Sequence, residues 1–432
     1  MTHRQIKSLF QTILNNNLSD QGFIKRFKSN PKDFTRNRKF EFKSLFLFIT
    51  SSIQSSIQRE LDSFFQSYLG LNHPIRFISQ SAFSQARLKI KPEAFVELNK
   101  TCVQFFYDNN KYKKWKTFRL IAIDGTEVVV PKTKETIEEY GEYTTNLMNN
   151  KLVLTRVSKA YDVLNDITLD AKLVNRKVGE HTLAGNHLEL LGKEDLVLLD
   201  RGYPSFNLFR SILESGCQFC ARVPVSNWNL AKELVTSQRS ECIAEIKPGN
   251  ELRKKYKEQD VSWEPIQVRF VRVKLKSGED EVLITSLLDT VQIPHEEFKQ
   301  LYHLRWGIEE LYKTDKHRLK LEDFSGKSVI AIQQDFLSQM LLVNFTSILT
   351  FSVNKQLTKK NNKYDYKVNR TSALSNIIKA IPIIFADKGN IETYLIYLWE
   401  VLFKNTIPIR PGRNFKRIKN KRRRYYRTYA TI

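Results

Sequence analysis

The sequence predicts a mixed α/β fold: a sheet with helices packed between its strands, a β-rich stretch interrupting it, and helical regions on either side. Three observations carry that expectation. The texture changes at Thr117 from helical periodicity to strand patterning. A short run, LVLLD at 196–200, is apolar until its last residue, as in a strand buried on both faces. Finally, the stretch 299–322, KQLYHLRWGIEELYKTDKHRLKLE, has no Pro and many good helix formers, and reads as a helix with an unusual distribution of charge.

Segments 2–16, 18–28, 41–69 and 92–109 repeat apolar residues at three- and four-residue spacing, and Pro31, Pro74 and Pro92 punctuate them. SQSAFSQARLKI at 79–90 precedes a helix opened by Pro92. Such a helical region with basic faces suits duplex binding, for instance through a helix-turn-helix, or serves as a packing or dimerisation module. No recognition-helix spacing separates the two. TFRLIAIDGTEVVVP then reads as a strand ending at Asp124, a turn at Gly125 and a second strand to Val130. Residues 152–163 and 167–175 are two more strands, joined by a hairpin turn at Leu164-Asn165-Asp166. GEHTLAGNHLELL reads as a helix, 196–200 as the buried strand, FNLFRSILESG as a helix ending at Gly216, and QFCARVPV as a strand.

Beyond Val223, a mixed segment and the charged KPGNELRKKYKEQD lead to a hairpin turning at Ser277-Gly278. Arg272, Lys274 and Lys276 fall on one side of its first strand and Val271, Val273 and Leu275 on the other. That basic side is a solvated outer face, or a surface that lies along a nucleic-acid backbone. Residues 328–353 form an apolar helix, a basic loop follows, and helices near 371–386 and 390–404 precede a tail. From Arg410 to Arg427 the tail holds ten Lys or Arg and no acid, and would add a salt-dependent, sequence-blind term to polyanion affinity.

The 432 residues allow two to four domains, and 41% hydrophobic with 12% aromatic content predicts a folded chain. The net charge of +24 implies a polyanion partner, with nucleic acid first and an anionic membrane surface as the rival. No apolar run reads as a membrane span, and MTHRQIKSLF has no signal-peptide core. Four Cys give no disulfide framework, and CQFC at 217–220 lacks the second pair or His pair that zinc requires, so a reducing cytoplasm is the expected compartment.

Candidate chemistry rests on acids. Asp124 and Asp200 each end a run of buried strand with a Gly close behind, at the carboxyl edge where α/β sheets bind ligands. Alone, either is equally a turn aspartate, and Asp200 also has Arg201 beside it as an ion-pair partner. On a helical wheel of about 100° per residue, Tyr302, Arg305, Glu309 and Lys316 lie along one face, with Trp306 beside them and Glu310 further round. One carboxylate among cations, joined to two strand-end aspartates, is the constellation of a metal-dependent phosphoryl-transfer site.

Asp124 in IDGT, Asp200 in LDRGY, and Tyr302, Arg305, Glu309 and Lys316 in Y-x2-R-x3-E-x6-K resemble the DDE transposases of bacterial insertion sequences, in particular the insertion-sequence-four family. The resemblance covers roughly residues 80–325. It implies an RNase H-like mixed sheet flanked by helices, with 1–115 as a helical DNA-binding region and 116–222 as the first part of the catalytic core. The β-rich insertion is then 223–295, the second part of the core with the Glu helix 296–353, and a helical carboxyl-terminal region with its basic tail 354–432. It further implies two Mg²⁺ or Mn²⁺ ions on Asp124, Asp200 and Glu309, with Asp124 shared between them. Tyr302, Arg305 and Lys316, with Arg201 and Tyr203, would contact DNA, and Trp228 or Trp263 would stack on a flipped base or simply pack. The partners would be double-stranded DNA, as element ends and target, and a second copy of the chain, near the nucleoid and without a membrane. A non-catalytic DNA-binding descendant, a metal-dependent nuclease without strand transfer, and an RNA-binding protein are the alternatives; no RNA-recognition aromatic signature supports the last.

Overall fold

The structure, a computed structural model, describes residues 3–36, 39–51, 55–144, 151–249, 264–275, 277–357, 364–386 and 391–410. Lys276, Trp263, most of the charged stretch 247–260 and the tail beyond Arg410 lie outside the described residues. The chain divides into two compact units. One comprises residues up to Tyr112, Val128–Thr155 and the residues from Lys313 onward; the other comprises Lys113–Glu127 and Arg156–Tyr312.

The strands, in chain order, are β1 (Arg119–Val130), β2 (Glu142–Thr144), β3 (Lys151–Asp162), β4 (Ile167–Asn175), β5 (Asp195–Leu199), β6 (Gln218–Val223), β7 (Glu241–Ile246), β8 (Ile266–Lys274) and β9 (Asp280–Thr285). In the unit built around Arg156–Tyr312, β1, β5 and β6 run parallel, with Ile123 opposite Leu199. On the other side of β1 lies β3, which pairs with β4. The order β4-β3-β1-β5-β6, with three parallel strands β1, β5 and β6, is that of an RNase H-like core. Every residue of β5 is buried, as a central strand covered on both faces requires.

The β-rich stretch is built onto this sheet's edge. β9 pairs antiparallel with β6, and β8 and β7 follow as a meander. Val271 and Val273 are buried, as their alternation predicts. Arg272, however, spends its guanidinium on Gln238, the Arg239 carbonyl and Asp280. Gly278, at φ +89°, makes the hairpin turn that only a residue without Cβ takes easily. Trp228 packs with its ring centroid 6.0 Å from that of Phe270. Cys217 and Cys220 are buried, unbridged residues at and in β6.

Three expectations are corrected. Gly125 is not a turn: β1 runs unbroken through it. A Cβ there would lie 3.3 Å from the Val157 carbonyl oxygen, so glycine serves a close backbone approach rather than a reversal. The stretch 41–69 is two helices, Phe42–Thr50 and Ile57–Tyr68. The stretch 299–322 is also two helices, Glu297–Leu304 and Gly307–His317. Between them the ladder tightens, with the amides of Arg305, Trp306 and Ile308 donating three residues back. Gly307 sits at this joint, where a Cβ would lie 3.3 Å from Val163 Cβ.

The hairpin turn at 164–166 forms as expected. Asp162 Oδ1 accepts from the amides of Leu164 and Asn165, and Asp166 takes φ +57°.

The other unit is helical around Val329–Leu357. This helix is long and apolar enough to cross a membrane, against the expectation that no such run exists, but 89% of its apolar window is buried inside the protein. Its Asn344 donates to Asn99 at 2.6 Å, Phe345 and Phe351 meet Phe10 and Phe106, and Asp335 pairs with Arg87. An all-round apolar surface marks a helix surrounded by others.

Candidate active site

The parallel pairing of β1 with β5 decides the site. Because Ile123 stands opposite Leu199, the next residues, Asp124 within β1 and Asp200 just past the end of β5, lie side by side at the carboxyl end of β5. Flanking interactions fix these ends. The Gly125 amide donates to Asp124 Oδ1 at 2.9 Å, and the Tyr312 hydroxyl donates to the Asp124 carbonyl at 2.7 Å. Tyr302, 4% exposed, places its hydroxyl 3.3 Å from both the Leu199 carbonyl and Asp200 Oδ1.

Glu309 reaches the same place from the helix Gly307–His317, through Arg305. The Arg305 guanidinium donates to Glu309 Oε1 at 2.7 Å and lies 4.0 Å from Asp124 Oδ2. It is buried and stacks 5.6 Å from the Tyr302 ring centroid; its Nε and Nη1 find no hydrogen-bond partner among the described residues. Despite the tightened joint, Arg305 and Glu309 keep the one-turn spacing that the sequence pattern implied. Burial works against the Arg305 charge, but Tyr302, Glu309 and Asp200 outweigh it and hold the proton more firmly.

Burial pushes the Asp124 carboxyl up to about 6; Gly125 and Arg305 pull it down, and the charges of Asp200 and Glu309 add to the rise. Both other acids therefore act on Asp124, with the Arg305 guanidinium beside it. Among the described residues, no three His, Cys, Asp or Glu side chains form a group that could hold a metal ion as they stand. The donor chemistry nevertheless suits a hard divalent cation: the donors are carboxylate oxygens, and a positive charge already sits between them.

The remaining candidates separate. Arg201 is exposed beside Asp200. Tyr203 is 2% exposed, its hydroxyl has no partner among the described residues, and burial raises its phenol far above the ordinary range. A Cβ on Gly125 would lie 3.7 Å from that hydroxyl and 3.7 Å from Glu180 Oε1, so Tyr203 sits behind the acids rather than on the surface. Lys316 is half-buried two turns beyond Glu309 on the same helix and belongs to the other unit.

Two participants went unread in the sequence. Tyr312 stands three residues after Glu309, a signal available on the same helical wheel. Glu180, paired at 4.0 Å with Arg156, comes from a helix distant in sequence from Asp124, and nothing local announces it.

Residues 115–345 match the family of the transposase DDE domain. The chain belongs to the DDE transposases. Within that family it is 24% identical over 272 residues to the transposase InsG for insertion sequence element IS4 of Escherichia coli strain K12. The aligned part is 62% of this chain and 60% of that one, so the chain spans less than two thirds of this relative's length. A piggyBac transposase, solved by cryo-electron microscopy as a synaptic complex with hairpin DNA, is similar at TM-score 0.49 and 11% identity, covering 93% of this chain and 85% of that one. The family assignment agrees with the insertion-sequence-four expectation drawn from the Tyr-Arg-Glu-Lys spacing.

A raised Asp124 has a consequence for metal-free protein. The folded state holds this proton between about pH 4 and 6, where the unfolded chain releases it, so stability falls as pH rises through that window. The loss is on the order of 3 kcal/mol, at 1.36 kcal/mol for each pH unit between the unfolded and folded values. Asp124→Asn is expected to remove this slope and to melt higher than the parent at pH 8. Millimolar Mg²⁺ should raise the melting temperature of the parent at pH 8 and leave Asp124→Asn unmoved. Differential scanning fluorimetry across pH checks both; identical slopes in the two proteins would contradict the burial of this carboxylate.

Proposed function

We propose that the chain is a DNA transposase that cuts the ends of an insertion sequence and joins the freed 3′-hydroxyls to target DNA. The observation that carries the reading is the convergence of Asp124, Asp200 and Glu309 around one buried guanidinium within a DDE-family chain. Asp124, Asp200 and Glu309 would hold two Mg²⁺ or Mn²⁺ ions. Such ions, when bound, lower the pKa of a water or hydroxyl nucleophile and neutralise charge on the leaving oxygen.

The chain's own residues do the rest. Tyr302 holds the Asp200 carboxylate in place, and Tyr312 holds the strand segment that carries Asp124. Arg305 pairs with Glu309, and its remaining Nε and Nη1 donors would be available for a phosphate oxygen. Exposed Arg201 would extend this phosphate contact and Tyr203 would support the acids from behind, while Lys316, in the other unit, would make a phosphate contact of its own. The helical residues 1–115 and the basic tail would grip DNA through sequence-blind phosphate contacts, two copies would act on paired ends, and the protein would reside on the nucleoid.

The test uses a labelled duplex bearing one element end, a supercoiled target and Mg²⁺. A nicked end followed by a joined product is expected. Nicking without joined product would reduce the protein to a nuclease, and binding without nicking would make it a DNA-binding descendant.

A further inference from the structure

The helical unit carries an open cavity of about 640 Å³ that the catalytic reading leaves unused. Residues from 32–36, 39–40 and 77–89 form its walls. Lys32, Arg36, Lys39 and Lys89 line it, and Asp33, the acidic residue among its described lining, is engaged with the amide and the side chain of Asn30. The Lys39 ammonium lies 5.1 Å from the Phe77 ring centroid. Phe34 and Phe77 are only half-buried. Phe34 holds φ +57°, an outlying conformation for a bulky residue, with its ring edge-on to Phe42 at 5.4 Å. Ser79 caps the helix Gln80–Arg87 by accepting from the Ala82 amide, and both residues line the cavity, so the positive end of that helix adds to the four cations.

The volume fits one small ligand and excludes a duplex. Aromatic faces beside a concentration of cations match a nucleobase joined to its phosphates, and match neither an apolar molecule nor a basic peptide. We propose that this cavity receives one unpaired nucleotide of a DNA strand, its base against Phe34 and Phe77 and its phosphates on Lys32, Arg36 and Lys89. The lining shares no residue with the acid site, and occupation of the cavity does not depend on cleavage.

Fluorescence anisotropy with full-length protein tests the proposal, using a short duplex and the same duplex with a single bulged thymidine. The parent protein is expected to prefer the bulge about tenfold, the scale of one base–aromatic stack. Ala82→Trp, filling the cavity from an exposed helix position, should erase that preference and leave affinity for the perfect duplex unchanged. Lys32→Ala with Lys89→Ala, neither of them a buried side chain, should reduce the preference without shifting the melting temperature. No preference in the parent, or a preference that survives Ala82→Trp, overturns the proposal. Competition by thymidine monophosphate as strong as that of the bulged strand would assign the cavity to a free nucleotide and overturn it too. Asp124→Asn should keep the preference, so a failure of the metal reading and a failure of this one are told apart.

Discussion

Replacing Asp200 by Asn is expected to lower Mg²⁺-dependent strand cleavage at least about a thousandfold while leaving DNA binding intact. The magnitude follows from several kcal/mol of charge stabilisation supplied through a metal ligand, at 1.36 kcal/mol per tenfold. The amide keeps the shape and can still meet the Tyr302 hydroxyl, so folding is not the variable. Asp124→Asn should be equally inactive and more stable, because a buried carboxylate is removed. Glu309→Gln should be inactive and less stable, because the Arg305 guanidinium loses the charged partner 2.7 Å away. Three inactive variants with three different stabilities would be hard to obtain from any purely structural role. Cleavage by any of them at the parent rate would remove that carboxylate from the metal site. The readout is single-turnover nicking of an end duplex, with gel-shift affinity measured in parallel.

Arg87→Ala carries the largest expected effect on stability. Arg87 is 3% exposed, and its guanidinium donates to Asp335 at 2.8 Å, Ser325 at 2.8 Å, Gln334 at 3.0 Å and the Ala331 carbonyl at 3.1 Å. Gln334 in turn donates to the carbonyls of Arg87 and Ile90, closing the network onto the backbone. Truncation strands a buried carboxylate, a loss of about 3–5 kcal/mol. Arg87→Lys should recover little of it, since an ammonium cannot serve the four acceptors that a planar fork reaches. Arg87→Met with Asp335→Leu should recover most of it, because no charge is then left unpaired. Urea melts followed by circular dichroism decide; an Arg87→Ala protein as stable as its parent would mean that the network contributes nothing. Gly326 guards the same place, since a Cβ there would lie 2.5 Å from Ala331 Cβ and 3.1 Å from the guanidinium.

Much of the sheet was legible because strand burial writes itself into short runs. LVLLD announced β5, and the alternation of Val271 and Val273 announced β8. The Asp124-Gly125 pair misled, because a glycine that permits close approach of backbone and one that permits a turn look alike in one dimension. The helix break at Arg305-Trp306 was hidden for a related reason: Gly307 marks where Val163 presses in from another part of the chain.

By itself the sequence determined the chemistry on offer: two acids following buried apolar strand runs, a third acid one turn from an arginine, and a large positive charge. These are local properties of residue type and spacing, and the family match spans the same residues. Only the tertiary structure decided that Ile123 faces Leu199, which brings the aspartates together, and that Tyr203 turns inward while Arg201 stays in solvent. It alone joined Arg87 to Asp335 across 248 residues. Pairing register and burial are set by which surfaces exclude water together, a condition met between distant segments that no single stretch of chain encodes.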